Sequence, residues 1–590
     1  MNTVKKSLNS LSVVCVIALL GTALVHPAHA TDAEKTIAQS SDPLFMLSPA
    51  QATELQPGST LSGNYLAARF AQRQQDWGAA QHYMNAVVSY DENNSRLTER
   101  AFLLSLGAGE YVSARRLGEK IVEDPQGAIE PALIFMSSDA LARGEFKLAQ
   151  DYIDRLPEDG FGQYTKPLVT AWALVGQGKR DEAIAHLLAH SAETDPTFNL
   201  HVGMMYDMEG DTENAAKHFT AAMQDSLTLH NALLLANFFE RTGDTATAHR
   251  IYDGLGGLYT RIDAAADGKT AAKDGLRTRR AADGAAVAMY ELATMLFERR
   301  SYDSAQIYAR LVQVLTPQSD FGAMMVGDIA SINEHYSEAV EAYNSIDKKS
   351  PMYLLSRLRV AEVYEGADHP EAAVKLLREL AASPQARTQA LTAIGDMHRR
   401  REEFVQAIAA YDEALAGVGE PAADHWAIVY ARGMSLERTN DWDRAEKDLL
   451  LALTFQPDNP MILNYIGYSW VDKNVHLEKA LDFIRRAVAL RPDDGYILDS
   501  YGWAFYRVGD MGQAVYWLEK SVALVPDDST ILDHLADAYW QTGRHSEARF
   551  KWQRARELSK DADFRSVVER KIQRGIEPSA TALVQKDTSL

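Results

Sequence analysis

Cysteine is all but missing from this chain: Cys15 is the only one in 590 residues. It lies inside the apolar run Leu11 to Val25, and the remainder of the chain has no thiol. Disulfide frameworks, thiolate metal sites and cysteine nucleophiles are therefore excluded from that remainder. Long apolar runs are missing as well. The 15 residues from Leu11 to Val25 fall short of the roughly 20 that a spanning helix needs, and no other stretch comes near that length. Cations are scarce against anions, with 60 Lys and Arg facing 81 Asp and Glu for a net charge of −21. An acidic chain repels nucleic acid and anionic lipid, so neither is an expected partner. Proline (19) and glycine (36) are few for this length and 46% of the residues are apolar, which excludes disorder as the general state.

Signatures of chemistry are missing too. There is no Gly-x-Ser-x-Gly, and Gly160-Phe161-Gly162 reads as a turn, not a dinucleotide fingerprint. Gly268-Lys269-Thr270 has the form of a phosphate-loop end, but position 263 is Asp where that loop requires Gly. His186 and His190 lie four apart on a helix, without the intervening Glu or the third ligand of a metal site. No catalytic residue, metal or cofactor is expected.

What the chain does have begins with Lys5 and Lys6, the apolar run, and Ala28-His29-Ala30. These are the parts of a bacterial secretory signal over residues 1–30, with small residues at −3 and −1 of a cleavage point after Ala30. Ser12-Val13-Val14 before Cys15 lacks the form of a lipoprotein signal, so an exported, soluble periplasmic chain without a lipid anchor is expected. Residues 31–58 are polar, with Ser40, Ser41, Pro43 and Pro49, and read as a flexible leader.

The run from Pro460 to Ala555 then repeats helix, short turn, helix three times, with Pro492 and Pro526 between the copies. In its middle copy Leu498, Tyr501, Gly502 and Phe505 share one helical stripe, Gly509 breaks the chain, and Ala514, Leu518 and Ser521 form the next stripe before Pro526. Two helices approach closely only where the crossing carries little side chain, which Gly502 and Ala514 provide. The small residue of the second helix can be followed through Ala80, Ala114, Ala149, Ala183, Ala215, Ala248, Ala305, Ala339, Ala373, Ala407, Ala445, Ala480, Ala514 and Ala548. One interval is 57 residues and the others run from 32 to 38. This resembles the tetratricopeptide repeat, a helix pair of about 34 residues.

The expected fold is therefore all-α, a TPR-type α-solenoid that winds as an open right-handed superhelix of about 14 helix-turn-helix units. Residues 59–253 and 286–558 read as two repeat arms, 254–285 as an inserted helical excursion or loop, 559–577 as a capping helix and 578–590 as a disordered tail. The first four units match the stripe loosely, since Phe102 and Ser137 stand where Gly or Ala is expected. Stacked helix pairs provide no deep cleft in which one carboxylate could tune another, so the many acidic residues read as solvated charges.

A solenoid does provide a groove. In this repeat the first helices line the concave side, and the residues one turn from the packing stripe point into it. Counting from each crossing gives Tyr430 and Met434, Asn464 and Tyr468, then Asp499, Trp503, Tyr506 and Arg507, then Asp533 and Trp540. Aromatic, Asn and Arg side chains in a row suit a protein-binding surface.

The block Asn464-Tyr465-Ile466-Gly467-Tyr468, then Ala480-Leu481, then Pro492 through Trp503 is similar to a family of long exported bacterial repeat proteins. Its best understood type is an outer-membrane lipoprotein adaptor of a periplasmic C-terminal processing protease. The resemblance, close from Val429 to Ala555, implies a non-enzymatic scaffold that binds a protease together with its peptidoglycan-hydrolase substrates. The missing lipoprotein signal departs from that type. A scaffold of an envelope polysaccharide or outer-membrane assembly complex is the alternative. The signal makes one immediate prediction: the chain purified from the periplasmic fraction should begin at Thr31 by N-terminal mass spectrometry.

Overall fold

The computed structural model describes residues 57–58, 60–91, 94–123, 128–157, 162–190, 196–224, 227–255 and 276–576. The expected signal peptide, nearly all of the leader, residues 256–275 of the expected insertion and the tail from 577 lie outside them. Among the described residues there are 29 α-helices and no strand, arranged as fourteen successive hairpins and a closing helix, Ala562–Arg574. This is the expected all-α, TPR-type architecture.

The recurring alanine is fully buried in all fourteen hairpins. The crossing glycine, however, does not face that alanine. A Cβ placed on Gly395 would lie 2.5 Å from Tyr411, on Gly327 2.5 Å from Tyr343, on Gly203 2.6 Å from Phe219 and on Gly502 2.6 Å from Leu518. Each partner stands four residues after the alanine, one turn along the second helix. The glycine is thus a socket for one large side chain, and the alanine closes the helix contact beside it.

The same exchange explains the loosely matching units. Phe102 occupies the socket position of the second hairpin, and the residue one turn beyond Ala114 is Gly118, whose Cβ would meet Phe102 at 3.4 Å and the Sδ of Met136 at 3.0 Å. Large and small have changed helices. In the third hairpin the Ser137 hydroxyl donates to the carbonyl oxygen of Ala149 at 2.7 Å, which satisfies its polar atom inside the contact. The N-terminal hairpins are therefore the same unit as the rest.

In three hairpins the socket holds a ring with a polar atom, and an aspartate next to the small residue takes its hydrogen bond. The Tyr343 hydroxyl donates to Asp328 at 2.7 Å, Tyr411 to Asp396 at 2.6 Å, and the Trp552 indole to Asp537 at 2.9 Å. Each hairpin turns through a residue at positive φ just before its second helix. Glycine holds that place in half of them, as at Gly509 (φ 89°), and residues such as Glu402 (φ 60°) and Asn440 (φ 63°) hold it elsewhere. Between the late hairpins a Pro-Asp pair ends one helix and the next Asn or Asp caps the following one. Asp494 accepts from the Ile497 N–H and Asp528 from the Ile531 N–H, at 3.3 and 3.0 Å.

The chain divides into two compact units, Met1–Ala386 and Arg387–Leu590. The first holds nine hairpins; the second holds five and the closing helix. The division between arms expected at 254–285 does not coincide with this boundary, because the hairpins on both sides of that stretch lie in the first unit. Residues 281–285 begin helix Ala281–Glu298, and the Arg277 guanidinium donates to the carbonyl oxygens of Asp207 and Met208.

Within the first unit the ribbon closes on itself. Helix Ala281–Glu298 packs on Gly162–Gly176, and Tyr302–Leu315 packs on Ser95–Gly107 and Glu130–Ala142. Gln306 and Arg310 both donate to the Gly107 carbonyl oxygen at 3.0 Å, Tyr111 donates to Gln313 at 3.0 Å, and His335 bonds the Gln74 carbonyl oxygen at 2.8 Å. Ala132 to Leu141 are consequently buried without a break, as a helix covered on every side must be. The open inner face expected along the whole array is thus filled here. His186 and His190, the pair at helical spacing, lie with ring centres 4.3 Å apart, tilted by 48°, while a His190 ring nitrogen bonds the His186 carbonyl oxygen.

The socket makes a specific prediction. Gly395→Ala should destabilise the protein by about 1–3 kcal/mol, read as a lower denaturant midpoint of the second unit. Adding Tyr411→Leu should recover part of that loss, since leucines at the equivalent position stand 3.0 Å from Gly433 and 2.6 Å from Gly502, against 2.5 Å for Tyr411 at Gly395.

Candidate protein-binding face of the C-terminal unit

The first helices of the second unit are Arg387–Arg400, Trp426–Arg438, Pro460–Asp472, Gly495–Val508 and Ser529–Gln541. Their buried residues fall on the socket stripe, which leaves the residues one turn away on a separate face. Tyr430, Met434, Asn464, Tyr468, Trp503, Tyr506 and Arg507 are all half-buried on it.

The centre of this face is a stack. The Trp503 indole lies between Tyr506, 4.6 Å away at 8°, and His534, 4.1 Å away at 15°. Behind it the His534 Nδ1 bonds Asp499 at 2.9 Å, and both groups are buried. Burial opposes charge on this imidazole, but Asp499, with Asp533 and Asp537 beyond it, outweighs burial and raises its pKa. Asp499 therefore braces an aromatic ring and is not displayed. Three rings held by an ion pair lose little side-chain freedom on meeting a ligand, which is what a binding anchor needs.

Along the same face Tyr430 meets Tyr465 edge-on at 5.9 Å, and Lys473 pairs with Glu437 at 3.2 Å. Burial pushes the Tyr468 phenol up to about 12, helped by Asp499 and Asp472. The Oδ1 of Asn464 is buried without a hydrogen-bond partner among the described residues. Arg507 reaches only the Asp472 carbonyl oxygen, at 3.4 Å, and pairs with no carboxylate among the described residues.

The last hairpin is different. Lys571, from the closing helix, bridges Asp533 at 2.7 Å and Asp537 at 2.9 Å. Burial opposes the Lys571 charge, but the two carboxylates outweigh it and raise its pKa. The Trp540 indole donates to the Ile576 carbonyl oxygen at 2.9 Å, and a side chain at Gly575 would strike the indole at 1.9 Å. Asp533 and Trp540, expected on the groove, are thus occupied by the chain's own closing segment. His534, Asp537 and Lys571 are the residues that counting along the stripe leaves out. Asp537 had a signal, since it stands one residue after the socket position, as Trp503 does.

A family profile for the tetratricopeptide repeat matches residues 392–460, 430–495 and 502–562. The C-terminal unit is a tetratricopeptide-repeat array. A TPR repeat-containing protein of Pseudomonas aeruginosa is 30% identical over 190 residues, 32% of this chain and 31% of that one. The chain therefore spans about a third of the length of the curated relative it matches. Among solved structures, the APC/C hetero-tetramer Cut9-Hcn1 is 14% identical with a TM-score of 0.37, covering 90% of this chain and 99% of that one. A TPR protein of Thermus thermophilus is 18% identical with a TM-score of 0.28, covering 32% and 99%. TPR proteins typically act as non-enzymatic scaffolds for protein partners, and no described helix here is long and apolar enough to cross a membrane.

The charges behind the TPR face predict a pH dependence. His534, with its raised pKa, stabilises the fold fully below pH 6.5 and loses that contribution as pH rises past the raised value. Asp537, raised to about 6 by burial and then by Asp533, costs stability as pH rises from its ordinary 3.8 to about 6. Both run the same way. The thermal midpoint of the TPR unit should be higher near pH 5.5 than near pH 8.5, and Asp499→Asn should remove most of the difference.

Proposed function

We propose that this chain is an exported, non-enzymatic scaffold whose TPR unit holds a partner protein along the face of Tyr430, Met434, Asn464, Tyr468, Trp503, Tyr506 and Arg507. The observation that carries the reading is the Trp503 stack, a half-buried aromatic anchor fixed from behind by His534 and Asp499. Distributed contacts around one or two such anchors are how protein interfaces concentrate their binding energy. The resemblance from Val429 to Ala555 supports a narrower version. In it the chain is a periplasmic adaptor that brings cell-wall hydrolases to a C-terminal processing protease.

A photo-crosslinking residue at position 468, followed by mass spectrometry of the envelope fraction, tests the partner. Crosslinks to a processing protease or a peptidoglycan hydrolase support the adaptor. Crosslinks to polysaccharide-synthesis or outer-membrane assembly proteins instead assign the scaffold to the alternative complex. Replacing Trp503 and Tyr506 together by Ala should weaken capture of the crosslinked partner by roughly 30-fold or more, the scale of losing about 2 kcal/mol at an anchor. Undiminished capture by that variant would remove the face from the interaction.

A further inference from the structure

Helix Leu61–Arg73 begins the first unit, and among the described residues nothing packs on its outer side. Its inner side buries Asn64, Ala68 and Ala71. On the outer side Leu66 is 67% exposed and Phe70 68%, one turn apart, with Leu61 at 40% before them. The closing helix at the other end of the chain behaves differently, exposing mainly polar residues such as Asp563, Arg565, Ser566, Arg570 and Gln573. A repeat array needs a polar outer face at each end, because every internal hairpin buries both of its sides. Among the described residues the N-terminal end shows none.

The Asn64 amide, nearly inaccessible to solvent, holds the backbone of Gly58 at both groups: it accepts from the N–H at 2.6 Å and donates to the carbonyl oxygen at 3.0 Å. Gly58 is therefore held beside the first turn of this helix. Between Thr31 and Thr60 the sequence has one run of four large apolar residues, Leu44-Phe45-Met46-Leu47, with Pro43 before it and Pro49 after Ser48. Leu47 lies eleven residues before Gly58, an extended reach of about 35 Å against a helix about 20 Å long.

We infer that residues 43–55 of this chain cover the Leu66 and Phe70 face, with the run from Leu44 to Leu47 against those two side chains, and so cap the array. The apolar run is within reach of its target, and the chain's own anchor at Asn64 makes the contact intramolecular. A segment already tethered beside a face competes at high effective concentration with any second molecule.

Hydrogen exchange on the full chain, compared with the Phe45→Asp, Met46→Asp double variant, tests this together with molecular mass by light scattering. Neither substitution touches the described core, so the variant keeps its fold. The expected result is exchange at least tenfold faster in helix Leu61–Arg73, unchanged exchange in Gly495–Val508, and a monomer in both proteins. Identical exchange in Leu61–Arg73 overturns the inference. A dimer that dissociates on Phe70→Asp assigns the face to a second copy and overturns it as well.

Discussion

The structure rests on one contact repeated along the array: a small residue on one helix of a hairpin opens a socket, and a large side chain on the other helix fills it. Tyr343, Tyr411, Leu518 and Trp552 are such plugs, opposite Gly327, Gly395, Gly502 and Ala536. Interiors pack at crystal-like density, so a socket of fixed size fixes the distance and angle of the two helices. Phe102 and Gly118 show that the sum matters and the placement does not. The aspartates at 328, 396 and 537 add a second constraint, since a buried ring with a polar atom must find a partner.

Repeated contacts of this kind make a ribbon whose neighbours alone hold it together, and the two units use that ribbon differently. In the first unit one turn of the winding brings hairpins two to four against hairpin seven. The Gly107 carbonyl oxygen, left over at a helix end, accepts from Gln306 and Arg310 and joins the layers. The inner face becomes core. In the second unit the inner residues remain half-buried, and only the last hairpin is covered, by Lys571 and Ile576 of the closing helix and its exit.

What separates display from structure on the second unit is therefore the charge behind the rings. Asp499, Asp533 and Asp537 stand at equivalent register to residues that face outward elsewhere, yet each is neutralised within the chain, by His534 or by Lys571. Burying a carboxylate without a partner would cost several kcal/mol, and these pairs avoid that cost. The face left over is aromatic, and Arg507 on it pairs with no carboxylate among the described residues. That composition suits a protein ligand.

Sequence alone determined the helices, the hairpin period, the alanine at every crossing and the repeat class, because these are local: a stripe recurs each 3.6 residues, and a turn or proline punctuates it. It also marked Trp503 and Tyr506 as a face, since their register against Gly502 is a counting argument within one helix. It could not tell that Gly502 faces Leu518 and not Ala514, which depends on how far two helices slide along each other. Nor could it tell that Asp533 and Trp540 are covered, or that the inner face of the first unit is filled where hairpins two to four meet hairpin seven. Those facts were decided by tertiary structure alone. The small rotation between successive hairpins, summed over several of them, is what brings residues 199 positions apart into contact, and no local pattern carries that sum.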